Sequence, residues 1–222
     1  MKKKTLTIAI ALVLVVALAV GATYALLTDK TGTVTNTFVV GKITDDGTTF
    51  SLKEHAIDHQ DANGKYVLKD GNTESDYTTS NTYGAVVPGV NLPKDPTVKV
   101  EALAGDAYLY VVVDNQLSSG LTYTIDSKWT AIGTKDNKTL YAYNGGEKLT
   151  ANSAVNQAVL EGDQIVVSSE EKEVAAGNST LTFNAYLVQA VGTGDAAAAW
   201  NANGGFDTGI TNAAMPTPTT GK

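Results

Sequence analysis

The apolar positions of this chain lie first in one uninterrupted run and then in short alternating stretches. The run, Leu6–Leu27, reads LTIAIALVLVVALAVGATYALL and follows lysines at positions 2–4. A basic start, a long apolar segment and small residues near its end are the parts of a secretory signal peptide. The small residues predict cleavage between Ala25 and Leu26, which makes residues 1–25 a helical signal segment. Because about 20 apolar residues also span a bilayer, a retained membrane anchor is the alternative.

Alternation with a period of two follows this run. Over Thr33–Val40, the side chains of Val34, Phe38 and Val40 share one face and threonines dominate the other, which is typical of a strand. Further strands are predicted at Thr48–Leu52, Tyr66–Leu68, Thr97–Ala102, Ala107–Val113, within Leu117–Trp129, and at Thr139–Tyr143, Gln164–Val167 and Leu181–Val191. Many short strands with closely spaced turns and almost no helix indicate an all-β fold, a two-sheet β-sandwich. Spacing alone leaves a jelly roll and an immunoglobulin-like sandwich both open.

Polar and glycine-rich segments delimit the predicted domain. The polar stretch 53–81 reads as a hairpin or insertion around Tyr66–Leu68, with turn signals at Asn63-Gly64 and Asp70-Gly71 and a surface loop over Asn72–Asn81. Asp195 is a suitable N-cap and predicts a short C-terminal helix over Ala196–Trp200. The Gly-, Thr- and Pro-rich end predicts disorder. The predicted organisation is a signal peptide at 1–25, one β-sandwich domain at 26–210 that begins with a strand segment at 26–43, and a disordered tail at 211–222.

Composition narrows the function classes. The 222 residues carry 16 basic and 23 acidic side chains, a net charge of −7. Without the three N-terminal lysines the balance is 13 against 23, a net charge of −10, and every basic residue is Lys. A nucleic-acid binder needs a positive surface and favours Arg, so we expect no nucleic-acid partner. The chain has no Cys, which excludes disulfides, thiolate metal sites and cysteine nucleophiles.

The only two histidines, His55 and His59, are the weak candidates for a metal site. On a helix, residues four apart share a face and could both bind zinc. Asp58 stands where an inverted zincin motif, H-x-x-E-H, has Glu. Asp is one methylene shorter than that base and no third ligand is evident, so we expect a polar loop, no metal and no catalytic residues. Acidic stretches at Asp45-Asp46 and Glu170–Glu173 lack the D-x-D-x-D-G pattern of a calcium loop, so solvated turns are expected there.

Aromatic residues alternate along several predicted strands. The set comprises Trp129, Trp200, Tyr108, Tyr110, Tyr141 and Tyr143. An aromatic face that binds sugar is one interpretation of this pattern. Core packing is the favoured one, because buried aromatic side chains dominate protein cores.

Two separated motifs resemble the TasA/camelysin family of Gram-positive bacteria. The first is Tyr24-Ala25, a short apolar step and Asp29, followed by an NTF-x-x-G strand from Asn36 to Gly41. The second is a PG turn at Pro88-Gly89 and a K-D-P-x-V motif at Lys94–Val98, followed by a turn and an AYLYV-type strand. The strand AYLVQA and the Ala-rich helix after it also resemble the carboxyl end of clostridial members. The resemblance covers about residues 20–43, 85–113 and 180–200.

This resemblance implies a jelly roll, export with cleavage by a signal peptidase of SipW type, and a place in the extracellular biofilm matrix or on the cell surface. In fibre-forming relatives, the N-terminal segment of one subunit completes the sheet of the next. The partners implied are therefore other copies of this chain, arranged head to tail, and other matrix subunits, with no cofactor and with membrane contact only before cleavage. The donor would be Leu26–Val40. Its apolar anchors would be Leu27, Val34, Phe38 and Val40.

Two alternatives remain at this stage. A monomeric surface adhesin or carbohydrate-binding module would keep residues 26–40 within its own sheet. A camelysin-like zinc peptidase would need His55 and His59 together with a further ligand. We expect a structural protein and no enzyme.

Overall fold

The computed structural model describes residues 28–30, 49–84, 86–170, 179–190 and 192–217. Predictions for the signal peptide, for the strand over Thr33–Val40 and for the Asp45-Asp46 turn fall outside the described residues. So does most of the acidic stretch Glu170–Glu173. Among the described residues, no helix is long and apolar enough to cross a membrane.

The regular secondary structure of the described residues is almost entirely β. The strands are β1 (Thr28–Lys30), β2 (Thr49–His55), β3 (Ile57–Gln60), β4 (Tyr66–Leu68), β5 (Tyr77–Thr78), β6 (Leu92–Pro93), β7 (Thr97–Glu101), β8 (Ala107–Gln116), β9 (Leu121–Thr122), β10 (Trp129–Lys135), β11 (Lys138–Tyr143), β12 (Val155–Ala158), β13 (Gln164–Val167) and β14 (Thr180–Gln189). Single 3₁₀ turns lie at Glu74–Asp76, Asn144–Gly146 and Glu161–Asp163, and one α-helix, α1, spans Ala196–Ala202.

The largest sheet is antiparallel and has the strand order β1-β14-β8-β11-β10. Its central strand, β8, is buried from Ala107 to Val113. Because successive side chains of a strand point to opposite faces, Leu109 and Val111 join one core while Tyr110 and Val112 join another. The sheet is therefore the middle layer of three, which explains why β8 reads as a continuous apolar run.

The second layer is the four-stranded sheet β12-β7-β2-β5. Phe50, Leu52, Val98 and Val100 on its inner face pack into the same core cluster as Leu109. The two sheets form the sandwich that the alternating pattern predicts, and the all-β fold class with a short C-terminal helix is confirmed. The jelly roll implied by the resemblance stays a prediction, because it specifies how the strands are connected and the layers define only a sandwich.

The third layer is α1 with the chain that follows it. Asp195 caps the helix, since its Oδ1 accepts a hydrogen bond from the Ala198 amide at 2.7 Å. This confirms the predicted N-cap, and the helix runs two residues beyond its predicted end. Trp200 is fully buried against Tyr110 and Tyr186, and its indole Nε1 donates to the Ile210 carbonyl at 2.7 Å.

Ordered packing continues past residue 210, where the sequence predicts the domain to end. Ala213 is buried, and both its amide and its carbonyl bond to the side chain of Asn201 at 2.8 Å. The Ala214 amide donates to the Ile132 carbonyl of β10 at 2.8 Å. Ala213 and Ala214 of the predicted tail therefore lie against α1 and the edge strand β10, because the helix and this edge offer them a surface to pack on. Residues 218–222 lie outside the described residues.

The polar stretch 53–81 is partly sheet rather than wholly an insertion. It contains the predicted hairpin, formed by β3 and β4, with Gly64 in the left-handed region at φ +81°. It also contributes β5, which pairs with the end of β2 at Glu54↔Thr78 and His55↔Tyr77. Sequence reasoning missed this pairing because β5 is only two residues long.

Two further differences concern the middle of the chain. The strand predicted within Leu117–Trp129 is reduced to β9, two residues at the edge of a small sheet ordered β6-β13-β9. In contrast, β10 begins at Trp129 and was not predicted. Its pairing with β11 shifts register between Ala131 and Gly133, and such an irregularity removes the period-two signal.

Candidate functional site

The predicted donor segment contributes one described strand, β1, at the outer edge of the main sheet. Its three residues pair antiparallel with β14, in the register Thr28↔Val188, Asp29↔Leu187 and Lys30↔Tyr186. β14 is ten residues long. Among the described residues, no strand lies beside Thr180–Asn184 on this side of β14. The predicted cleavage site and all four donor anchors, Ala25, Leu26, Leu27, Val34, Phe38 and Val40, fall outside the described residues.

The two histidines lie on different strands and bond to different carboxylates. His55 ends β2 and its ring bonds to Asp95, whereas His59 lies in β3 and bonds to the neighbouring Asp58 at 2.8 Å. The segment that carries them is extended, so the helical spacing needed for an H-x-x-D-H zinc site does not arise. The described residues contain no group of three His, Cys, Asp or Glu side chains able to hold a metal ion.

The K-D-P motif takes part in a buried polar network instead. Lys94 Nζ lies 2.7 Å from Oε2 and 2.9 Å from Oε1 of Glu54, and these two side chains are only 10% and 6% exposed. The Lys94 ammonium also lies 5.8 Å from the centre of the Phe183 ring. A second donor, the backbone N–H of Asn81, reaches Glu54 Oε1 at 3.2 Å. The charge of Glu54 is thus paired where water is excluded, which is the condition for burying it at all.

The residues that follow Glu54 and Lys94 in the chain, His55 and Asp95, form the second pair. Asp95 accepts the His55 amide through Oδ1 at 3.0 Å and bonds to the His55 ring through Oδ2 at 2.5 Å. The other ring nitrogen lies 3.2 Å from the Gly71 carbonyl, and the ring packs on Tyr77 with centroids 4.5 Å apart. Because strand side chains alternate, Glu54 turns inward to Lys94 while His55 turns outward to Asp95.

The environment of His55 raises its pKa above the ordinary 6.5. Burial works to lower this pKa, but the hydrogen bond and negative charge of Asp95 outweigh burial, and the Gly71 carbonyl and Asp76 add to the rise. Asp163 is a further acidic group beside this network. The pKa of Asp163, whose carbonyl accepts the Lys94 amide at 2.8 Å, is raised by burial and by the charges of Asp95 and Asp126. The network therefore favours a protonated His55.

Two more residues, Asn81 and Tyr83, bond to chain that borders this network. Asn81 accepts the Ile57 amide at 2.9 Å and donates to the His55 carbonyl at 2.8 Å. The Tyr83 hydroxyl donates to the Pro93 carbonyl, and burial raises the pKa of Tyr83 far above its usual range.

Sequence reasoning identified Lys94 and Asp95 only as a motif and His55 only as a metal candidate. It missed Glu54 and Asn81, whose partners lie up to 40 residues away.

Most of the aromatic residues considered as a sugar-binding face belong to the cores. Trp129, Trp200, Tyr108 and Tyr110 are buried, as core packing predicts. Tyr141 and Tyr143 are only partly buried at the margin of the sandwich core. Tyr141 lines a surface groove, whereas Tyr143 packs on Trp129.

No model of a known protein family, no curated protein and no solved structure matches this chain.

Proposed function

We propose that this chain is an exported structural protein of the TasA/camelysin type, which assembles into extracellular fibres by N-terminal donor-strand addition. The observation that carries the proposal is that β1 covers part of the β14 edge through backbone pairing. This strand belongs to the predicted donor segment Leu26–Val40, and it occupies the outer edge of the main sheet beside β14. A monomeric binding module would keep the same pairing within one chain, so the two functions differ in whether a strand from a second copy replaces β1.

The geometry of this edge supports exchange between copies. Pairing in an antiparallel ladder uses backbone groups, so a strand from a neighbouring copy can form the same register that β1 forms within one chain. An edge strand left without a partner is a template for such pairing. A subunit that gives its N-terminal strand and receives the next one makes a head-to-tail contact, and contacts of that kind do not close on themselves. The expected product is a filament.

Export fits the same scheme. Cleavage after Ala25 would free the donor at its N-terminus, whereas an uncleaved chain would keep the donor next to the membrane. Assembly would therefore begin only outside the cell, after a SipW-type peptidase has acted. The net charge of −10 after cleavage suits a soluble extracellular surface, and the proposed partners are other copies and other matrix subunits.

A cysteine exchange experiment tests this proposal, and the chain suits it because it contains no cysteine. Thr28→Cys and Val188→Cys are placed in separate copies of Leu26–Lys222, which are then mixed and oxidised. Since Thr28 and Val188 are register partners, exchange in trans gives a covalent dimer. The protein carrying both substitutions should then give a ladder of covalent multimers. Replacing Val188→Cys by Thr180→Cys is the matched control, because Thr180 lies eight residues away along β14, about 27 Å at strand spacing.

Electron microscopy decides between assembly and a monomeric binding module. Filaments from Leu26–Lys222, and none from a chain that lacks Leu26–Val40, are expected. An internal disulfide without multimers in the doubly substituted protein, together with monomers of both chains by size-exclusion chromatography, would overturn the proposal in favour of the surface-binding module.

A further inference from the structure

A surface groove of about 490 Å³ lies beside β9, at the margin of the sandwich core. Its lining residues are Asn115, Leu121, Thr122, Tyr123, Thr124, Ile125 and Tyr141. Its volume falls within the range of about 300–1,000 Å³ that is common for small-molecule sites. The groove is remote in sequence from both β1 and the Glu54–Lys94 network.

One wall of the groove is the segment 121–125, which begins with β9 and is hydrogen-bonded to neighbouring chain. β9 pairs with β13 on one side, at Leu121↔Val167 and Thr122↔Val166. Further along, the Thr124 carbonyl accepts the Glu161 amide at 2.9 Å. The segment 121–125 is thereby fixed from behind. Its other side faces Tyr141, which is held in β11 of the main sheet.

Two tyrosines give the groove its aromatic surface. Tyr123 and Tyr141 are both partly buried and pack against the sandwich core. Burial, with a contribution from the nearby Tyr141, raises the pKa of Tyr123 to about 12, and burial also raises the pKa of Tyr141. Both phenols therefore remain protonated at ordinary pH and can donate a hydrogen bond. Rings fixed in this way present contact area at little cost in conformational entropy.

All seven lining side chains are uncharged, although the chain as a whole has a net charge of −7. An ionic ligand would gain no ion pair from these side chains. The Asn115 Oδ1 already accepts the Leu117 amide at 3.1 Å, but a purely apolar ligand would cover the Asn115 side-chain N–H groups and the threonine hydroxyls without bonding to them, which is unfavourable. A neutral sugar has both an apolar C–H face for the rings and hydroxyls for the amide and hydroxyl groups. We propose that this groove binds a neutral oligosaccharide.

An added peptide strand fits the groove less well. β9 is an edge strand, but it is only two residues long, so it offers an incoming strand very little ladder. Strand addition obtains its affinity from a run of main-chain hydrogen bonds. The groove instead offers side-chain groups and ring faces around a short stretch of backbone.

Isothermal titration calorimetry of Leu26–Lys222 tests this binding site, with maltohexaose, cellohexaose and the hexamer of N-acetylglucosamine as probes and an oligogalacturonide as the anionic comparison. We expect binding of at least one neutral probe. The double variant Tyr123→Phe/Tyr141→Phe should weaken it at least fivefold. Thr124→Glu, at an exposed position, should weaken it similarly without threatening the fold. Tyr143→Phe is the control, because Tyr143 lies on the same strand as Tyr141 but packs on Trp129. The affinity of this variant for the sugar should stay within twofold of wild type.

Absence of heat with all three neutral probes at millimolar concentration would overturn the site. Unchanged affinity in both groove variants would also overturn it, because the sugar would then bind elsewhere. A synthetic peptide of residues 31–41 supplies the opposing test. The groove would be reassigned to strand addition if this peptide bound, if Thr124→Glu weakened its binding, and if none of the neutral sugars competed with it. None of these outcomes depends on filament formation, so this proposal and the proposed function can fail separately.

Discussion

His55 and Asp95 are joined twice, through the His55 backbone amide at 3.0 Å and through the ring Nδ1 at 2.5 Å. The backbone bond fixes the end of β2 against the K-D-P segment whatever the pH. The ring contact is strongest when His55 is protonated, because Nδ1 then donates to Asp95 while Nε2 donates to the Gly71 carbonyl. Burial lowers the pKa of His55, but the hydrogen bond and charge of Asp95 raise it above 6.5. The backbone bond is therefore the pH-independent contact between His55 and Asp95, and the ring bond is the contact whose strength depends on pH.

We predict that Asp95→Asn removes a pH-dependent part of the stability. A group whose pKa is raised on folding stabilises the folded state fully below its unfolded pKa, and this contribution is lost as pH rises through the folded pKa. The wild type should therefore exceed Asp95→Asn in free energy of unfolding by about 1.5–3 kcal/mol near pH 5.5, and by less near pH 9. Urea unfolding at several pH values measures the difference.

The His59–Asp58 pair supplies the control for this prediction. Both of its side chains are more than half exposed, so Asp58→Asn should change the free energy of unfolding by less than about 1 kcal/mol. A wild-type advantage over Asp95→Asn that stayed constant from pH 5.5 to 9 would show that the His55 proton is not involved.

The adjacent Glu54–Lys94 pair leads to a second prediction, that removing one partner costs more than removing both. Lys94→Met should lower the free energy of unfolding by about 3–5 kcal/mol, because it leaves the Glu54 carboxylate buried without its cation. Adding Glu54→Gln removes that charge and keeps an acceptor for the Asn81 amide, so the double variant should recover much of the loss. A double-mutant cycle from urea unfolding measures this coupling. Additive losses would contradict it.

The sequence predicts those features whose cause is local. β8 is a continuous run of apolar residues, α1 follows a capping Asp195, and the β3–β4 hairpin surrounds Asn63-Gly64; each signal lies within about ten neighbouring residues. The all-β class follows from many such stretches. Tyr66–Leu68 is too short to identify by period alone, but the turn that precedes it marks its place.

The candidate network could not be read from the sequence, because it depends on contacts between distant residues. Glu54 and Lys94 are 40 positions apart, and in isolation each resembles a solvated surface charge. Burial of the pair follows only when β2 and the K-D-P segment meet under Phe183. The same reason explains the tail. Ile210 and Ala213 stand in a Gly- and Thr-rich context, and only the presence of α1 and β10 gives them a surface to cover.

A third prediction concerns two adjacent glycines after α1. Gly204 and Gly205 both have φ in the left-handed region, at +65° and +68°. A Cβ added at Gly204 meets nothing within 4 Å, whereas one at Gly205 would lie 2.0 Å from the Ile210 carbonyl oxygen. Gly204→Ala should therefore cost only the backbone strain of about 1–2 kcal/mol, and Gly205→Ala should cost about 1–3 kcal/mol more. Thermal unfolding compares them, and equal losses would mean that the Ile210 segment is not held against Gly205.

The last prediction is that the chain after Gly209 stabilises the domain although its composition suggests a disordered tail. Ile210 is fully buried and Ala213 nearly so, and the Ile210 carbonyl is the acceptor for the Trp200 indole. Ending the chain at Gly209 removes this apolar cover and leaves the indole N–H of a buried Trp200 without its acceptor. The expected loss is about 3–5 kcal/mol, from roughly 2–3 kcal/mol for the buried side chains and about 1–2 kcal/mol for the unpaired donor. Ending the chain at Thr217 is the matched control and should leave the midpoint of urea unfolding unchanged. If both truncations unfold like the full chain, the residues after Gly209 do not contribute to the third layer, and the domain ends at 210 as the sequence alone predicts.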